Sequence, residues 1–176
     1  MLLDRLFKPR PSRESGRALY ARVVEQSRTP AFYREMGAPD TVEGRFELYS
    51  LHVMLLLDRF KRQGDQAAET AQALFDTYLK ALDHALREMG VGDLSVGKKM
   101  RKLGEAFFGR VKSYQEAFEA LPATEGLQAL LARTVYAEAA DARPLEMAAY
   151  VVAQRAALAA QPLDALLAGK VDWKPL

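Results

Sequence analysis

The stretch Pro39–Phe60, PDTVEGRFELYSLHVMLLLDRF, constrains the fold more than any other part of the sequence. Val42, Phe46, Tyr49, Val53, Leu56 and Phe60 recur at steps of three and four, and so share one face of a helix. Leu48, Leu51 and Leu55 lie roughly opposite. A helix that is apolar on two sides belongs in the middle of a bundle. Asp40 or Thr41 stands at its N-cap, where a short oxygen-bearing side chain accepts the first free backbone N–H groups. Glu43 and Glu47 suit the positive end of the helix dipole. Arg45, Tyr49 and His52 follow one another at i, i+4, i+7 and form a polar line along this rod. Buried charge is costly unless paired, so the line needs partners elsewhere in the chain.

The rest of the sequence supplies the bundle. Ser15–Gln26 reads as a helix with Leu19, Tyr20, Val23 and Val24 facing inward, broken at Thr29-Pro30. Pro30 opens a short turn closed by Gly37. Asp65–Met89 turns Ala71, Phe75, Tyr78, Leu82, Leu86 and Met89 inward, and Gly90-Val91-Gly92 ends it. The next helix, capped by Asp93 or Ser95, repeats Val96, Met100, Leu103, Phe107, Val111, Tyr114, Phe118 and Leu121 along one stripe. Gly97 and Gly104 lie beside that stripe. Glycine in a helix costs roughly 1 kcal/mol against alanine, so a close backbone approach is expected there. The alanine-rich last third reads as helices over Glu125–Glu138 and Pro144–Ala160, with a short one at Leu163–Ala168 and a tail whose Trp173 packs back. No segment has strand periodicity. The expectation is an all-α, single-domain bundle of about six or seven helices. A basic N-terminal segment (1–14) precedes the helical domain (15–170), and a tail (171–176) follows it.

Composition narrows the function. The chain has 176 residues, 49% of them hydrophobic and 27% charged, which argues a globular domain with a sizeable core. A net charge of +2 does not by itself point to nucleic acid. The absence of cysteine excludes disulfides and thiolate chemistry, and two histidines make a His-rich metal site untenable. There is no phosphate-cradling glycine loop, no H-E-x-x-H and no G-x-S-x-G. His84 falls on an outer, solvated face, and His52 reads as a buried, hydrogen-bonded imidazole. No constellation suggests a catalyst, a bound cofactor or a small-molecule substrate. The run Leu48–Leu57 is far short of the ~20 apolar residues that span a bilayer, and no secretory signal opens the sequence. The expected compartment is the cytoplasm, with membrane contact only at the surface. Met1–Phe7 could form two helical turns, and residues 1–22 are rich in arginine. That segment is either a frayed, solvated terminus or a contact with anionic lipid. Residues 87–107 have the outline of a helix-turn-helix, but the second helix is too long and too regularly apolar to lie in a DNA groove. Its basic residues either form a solvated face or meet phosphate or an acidic client, so a generic helical interaction protein with a basic face, nucleic-acid binding included, stands as the alternative function.

Several of these segments together resemble a known family. Pro39-Asp40-Thr41, Gly44-Arg45-Phe46-Glu47-Leu48 and Leu51-His52 resemble the signature of the ubiquinol–cytochrome c chaperone family. So do Arg28–Tyr33, Leu86–Asp93 leading to Val96, Lys98, Met100 and Lys102, and the later Gly109-Arg110 and Tyr114. The resemblance covers roughly residues 25–170. It implies a non-enzymatic assembly factor for the cytochrome bc1 complex (respiratory complex III) that binds newly made cytochrome b. Mitochondrial members act with a small partner at the ribosomal tunnel exit. This chain looks like a bacterial homologue working on the cytoplasmic face of the inner membrane, with the ribosome or the membrane surface as further partners. Such a holder needs an apolar groove. The expected groove lies where the 39–60 and 96–121 helices meet, lined by Phe46, Tyr49, Met100, Phe107 and Tyr114. In the accompanying polar motif, Asp40, Arg45 and His52 lie on or before the central helix. Glu88 or Asp93 is expected to pair with Arg45, and Arg87, Lys98 and Arg110 to form an exposed rim.

Overall fold

The computed structural model describes residues 11–137 and 139–176. The expected turns at Met1–Phe7 lie outside these residues. Eight helices and no strand make up the described chain: α1 (Pro11–Ser27), α2 (Pro30–Arg34), α3 (Val42–Phe60), α4 (Asp65–Glu88), α5 (Asp93–Glu119), α6 (Glu125–Arg133), α7 (Pro144–Ala160) and α8 (Leu163–Leu167). The all-α fold holds. The count exceeds the expected six or seven because α2 and α8 are complete helices of five residues each.

The doubly apolar helix is the axis. α3 touches α1, α4, α5 and α7, and Leu48, Leu51, Val53 and Leu56 along it are inaccessible to water. Thr41 is the N-cap, its side chain accepting from the Gly44 backbone N–H at 3.1 Å. Asp40 is thereby free for another partner. The expected inner stripe is shifted at its start: Val42 is exposed, and Phe46 and Tyr49 are only half-buried.

α1 lies against α4 at very short range. A Cβ on Gly16 would fall 2.6 Å from the Ala73 carbonyl carbon and 2.7 Å from the Leu74 nitrogen. The close approach expected at Gly97 and Gly104 is absent, since nothing stands within 4 Å of a Cβ built on either. α6 is shorter than the expected 125–138 helix. It stops at Arg133, where the Thr134 hydroxyl donates back to the Leu130 carbonyl and the turn buries Val135 and Tyr136.

His52 sits wholly inside and is fully satisfied. Its Nδ1 lies 2.8 Å from the Leu48 carbonyl, which can only accept, so Nδ1 carries the proton. Nε2 then accepts from the Tyr150 hydroxyl at 2.7 Å, and that hydroxyl accepts from Gln26 Nε2 at 3.0 Å. Phe32, Tyr150 and Trp173 meet the imidazole edge-on. The tail closes this box as expected, with Trp173 Nε1 donating to the Arg22 carbonyl at 3.2 Å. Gln154 and Gln161 bind the backbone of Lys174 and Asp172. Burial drives the imidazole pKa down to about 4, only partly opposed by the Leu48 hydrogen bond.

Among the described residues, one carboxylate enters the core. Glu47, 8% exposed, meets Arg110 of α5 in a two-pronged ion pair. Arg110 donates from Nε at 3.2 and 3.1 Å to Oε1 and Oε2, and from Nη2 at 2.7 Å to Oε1. The hydrogen bonds to Glu47 raise the pKa of Arg110 and keep it charged. This pair joins the N-terminal half of α3 to the C-terminal half of α5.

Three outcomes test this architecture. Because the folded His52 pKa lies below the ordinary 6.5, the unfolded chain binds a proton that the native chain refuses. His52 therefore costs nothing above pH 6.5, and stability falls as pH drops from there toward 4, by about 2 kcal/mol at pH 5. Denaturant midpoints at pH 7 and pH 5 should show that loss, and His52→Gln should lack that part of it. Gly16→Ala should cost about 1–3 kcal/mol by forcing α1 off α4, whereas Gly97→Ala and Gly104→Ala should each stabilise by up to about 1 kcal/mol. Glu47→Leu or Arg110→Leu alone should cost about 2–3 kcal/mol, discounted for the partial exposure of Arg110, and the double variant less than the sum of the two.

Candidate functional site: an aromatic groove between α3, α4 and α5

α4 and α5 form an antiparallel hairpin, so residues equally distant from the Met89–Gly92 turn meet. Phe75 and Phe107 do so with ring centroids 5.0 Å apart, and Tyr78 and Phe107 at 5.3 Å. Toward the open end of the hairpin stand Ala68 and Ala71 of α4 and Gly64 just before it, too small to fill the space between α4 and α5. An open groove of about 590 Å³ results. Met54 and Phe60 of α3 and Phe107, Tyr114 and Phe118 of α5 make its buried floor. Leu57, Phe75 and Val111 are half-buried walls, and Phe108 stands 63% exposed at the lip, its ring 5.6 Å from that of Phe75.

The polar residues stay at the rim. Asp58, Lys61, Arg62, Gln72 and Gln115 border the groove. Asp58 is held by Arg155 of α7 at 2.7 Å, and the same guanidinium lies 4.9 Å over the Phe118 ring. Arg59 turns away and donates to the Leu158 and Gln161 carbonyls at 2.9 and 3.2 Å, capping the C-terminus of α7. Burial pushes the Tyr114 phenol well above its ordinary pKa, so this floor residue stays neutral. The groove is thus an uncharged aromatic trough with a wet, charged edge. Among the described residues no cluster of His, Asp and Glu could hold a metal ion, and no helix is long and apolar enough to cross a membrane.

Of the five expected lining residues, the structure brings only Phe107 and Tyr114 to the groove, both buried in its floor. Phe46 and Tyr49 lie at the other end of α3, where the Tyr49 hydroxyl accepts from Arg28 Nε at 2.8 Å. Met100 is half-buried nearly two turns before Phe107. Phe75 and Phe108 were missed. The Phe107-Phe108 pair was the available signal, because adjacent helical residues stand about 100° apart and one of them must leave the buried stripe.

The polar motif also divides. Arg45 pairs with Asp40 at 2.6 Å, not with Glu88 or Asp93. Both partners are about half exposed, so this is a surface pair of small energetic weight. Arg87 takes Asp93 and also Asp83, the latter at 2.7 Å, while Glu88 faces the exposed His84 at 3.5 Å. Lys98 is exposed as expected. Arg110 is no rim residue, being committed to Glu47. The line Arg45, Tyr49, His52 therefore has three separate sets of partners, and only His52 is buried.

Comparison with known proteins accords with this helical architecture. Residues 34–173 match the family described as ubiquinol-cytochrome C chaperone. The ubiquinol-cytochrome c reductase complex assembly factor 1 of Mus musculus is 29% identical over 161 residues, covering 90% of this chain and 54% of that protein. Its Homo sapiens counterpart is 29% identical with 53% covered, and that of Xenopus laevis 25% identical with 80% covered. The chain thus spans about half the length of its mouse and human relatives. The crystal structure of the Cbp3 homolog from Brucella abortus superposes with a TM-score of 0.86 at 33% identity, covering 99% of this chain and 97% of that one. With most of its length matched and the whole bundle shared, the chain belongs to the ubiquinol-cytochrome C chaperone family.

Proposed function

We propose that this chain is a non-enzymatic assembly chaperone of the cytochrome bc1 complex, and that it holds newly made cytochrome b through the aromatic groove. The observation that carries the reading is that groove, open to water and floored by aromatic rings, in a member of this family. Relatives named as ubiquinol-cytochrome c reductase complex assembly factors support the choice of complex.

The chemistry suits a membrane-protein client. A transmembrane helix of cytochrome b exposes a nearly continuous apolar surface before its partners arrive, and that surface cannot wait in water. An amphipathic or apolar helix laid into a groove buries one face at a time, and aromatic rings offer large contact area at small entropic cost. Nothing reactive is needed, and the groove's own polar groups are a few rim side chains already shared with water or with Arg155. In this reading the protein works in the cytoplasm, beside the inner-membrane face where the client is inserted.

Crosslinking locates the client. Phe107 and Tyr114 are buried, so a photoreactive side chain belongs at the exposed Phe108. It should capture cytochrome b, while the same group at the exposed Leu145 on α7 should not. Phe108→Asp, which leaves the floor intact, should lower assembled bc1 activity by about fivefold or more, as expected for a hydrophobic anchor worth ~1 kcal/mol or above. Full quinol oxidation through cytochrome b in cells without this gene, or equal capture from both positions, would sink the proposal.

A further inference from the structure

The outer end of the α4–α5 hairpin stands off the bundle. Between residues 79 and 106 only Leu86 and Val96 are buried. At its tip, Leu94 is 102% exposed and Met89, across the turn, 53%. Neither belongs to the groove. A fully bare leucine at the corner of a projecting hairpin does nothing for the core.

Its neighbours are cations. Lys98 and Arg101 follow Leu94 at i+4 and i+7 and so share its side of α5, with Lys102 beside them and Lys99 flanking. All four are exposed, and among the described residues none has a carboxylate within ion-pair range. The nearby acids are mostly engaged. Asp83 and Asp93 are drawn to Arg87, and Glu88 to His84. Glu105, one turn further on, is the acid left on that face. Two bare apolar side chains leading a cluster of unpaired cations match one kind of surface in both respects.

We infer that this tip docks on an anionic lipid bilayer, with Leu94 and Met89 entering the headgroup–acyl boundary and Lys98, Lys99, Arg101 and Lys102 lying over lipid phosphates. The charge alone would also suit nucleic acid, but a phosphodiester backbone gives the two apolar side chains no reason to be exposed. Phe108 lies fourteen residues after Leu94 on the same side of α5, about 21 Å along the axis. A tip set on the membrane therefore leaves the lip of the groove facing the same way, a short distance above the surface. The docking itself does not depend on the identity of the client.

Vesicle sedimentation of the full chain tests this without any client. Phosphatidylcholine vesicles should bind it weakly. Vesicles of phosphatidylcholine and phosphatidylglycerol, roughly seven parts to three, should bind it in a salt-sensitive manner. Replacing Lys98, Lys99, Arg101 and Lys102 together by Gln should weaken that binding by about tenfold or more, and Leu94→Ser should weaken it further at constant charge. The chain lacks cysteine, so Leu94→Cys carries a single environment-sensitive fluorophore, whose emission should shift blue on the anionic vesicles. A chain without residues 1–10 should behave alike, which separates the tip from the basic N-terminal segment. Undiminished binding of the four-fold Gln variant, a label at position 94 that stays in water while the protein is bound, or absence of vesicle binding would each overturn the inference. So would salt-sensitive retention by RNA that the Gln variant loses, if vesicles show no such dependence.

Discussion

The contact between Glu47 and Arg110 is the constraint on which the rest depends. It is the one place among the described residues where an ionised carboxylate has been taken into the core. The cost of that burial is offset only if the guanidinium arrives with both prongs aligned, and it does. Arg110 sits on α5 between Phe107 and Tyr114, so fixing it fixes the height at which both rings meet α3. A hairpin arm held by aromatic packing alone could slide by a side chain's width at little cost. The ion pair makes one register cheaper than its neighbours, and the trough takes its shape from that register.

A second buried polar side chain on the same helix, His52, is handled in the opposite way. His52 is kept neutral, with its tautomer set by a carbonyl on one side and a phenol on the other. The difference follows from what lies within reach. Glu47 faces an arm that can bring a cation with one edge still in water. His52 faces Phe32, Tyr150 and Trp173, where no counter-charge exists and ionisation would be uncompensated. Two neighbouring turns of a single helix thus contain two electrostatic solutions, and both leave no buried side-chain polar atom without a partner among the described residues.

Much of this was legible in the sequence. The doubly apolar α3, the long stripe of α5, the proline and glycine stops and the buried histidine all follow from periodicity and capping. They fix the fold class because each is a local rule. The misreadings came where a local signal needs a distant partner. Arg45 looked like a buried charge because it sits on an apolar helix, yet it leans out to Asp40 one turn earlier. Gly97 and Gly104 looked like a contact face, while the glycine that does meet a backbone, Gly16, carries no such periodic signature. Of the segments that carried the family resemblance, those around Arg45 and Arg87 lie away from the trough, and only the one that ends at Tyr114 reaches its floor. Motifs identify relatives more readily than they locate a working surface. The groove arises from what is missing on α4, where alanine and glycine leave space, and absence of bulk is hard to see in a string of letters.

The sparse packing of the outer hairpin carries a dynamic consequence. With only Leu86 and Val96 buried between residues 79 and 106, that portion loses little hydrophobic free energy by parting. The inner portion is clamped by Glu47–Arg110 and by the tilted rings of Phe75, Tyr78 and Phe107. Opening should therefore begin at the turn and halt near Phe107, as a zipper halts at a stitched tooth. Amide hydrogens in the outer arms would then exchange through a sub-global fluctuation, well before those of α3. The molecule joins a stiff hub to a compliant arm, and the boundary between the two falls at the edge of the trough.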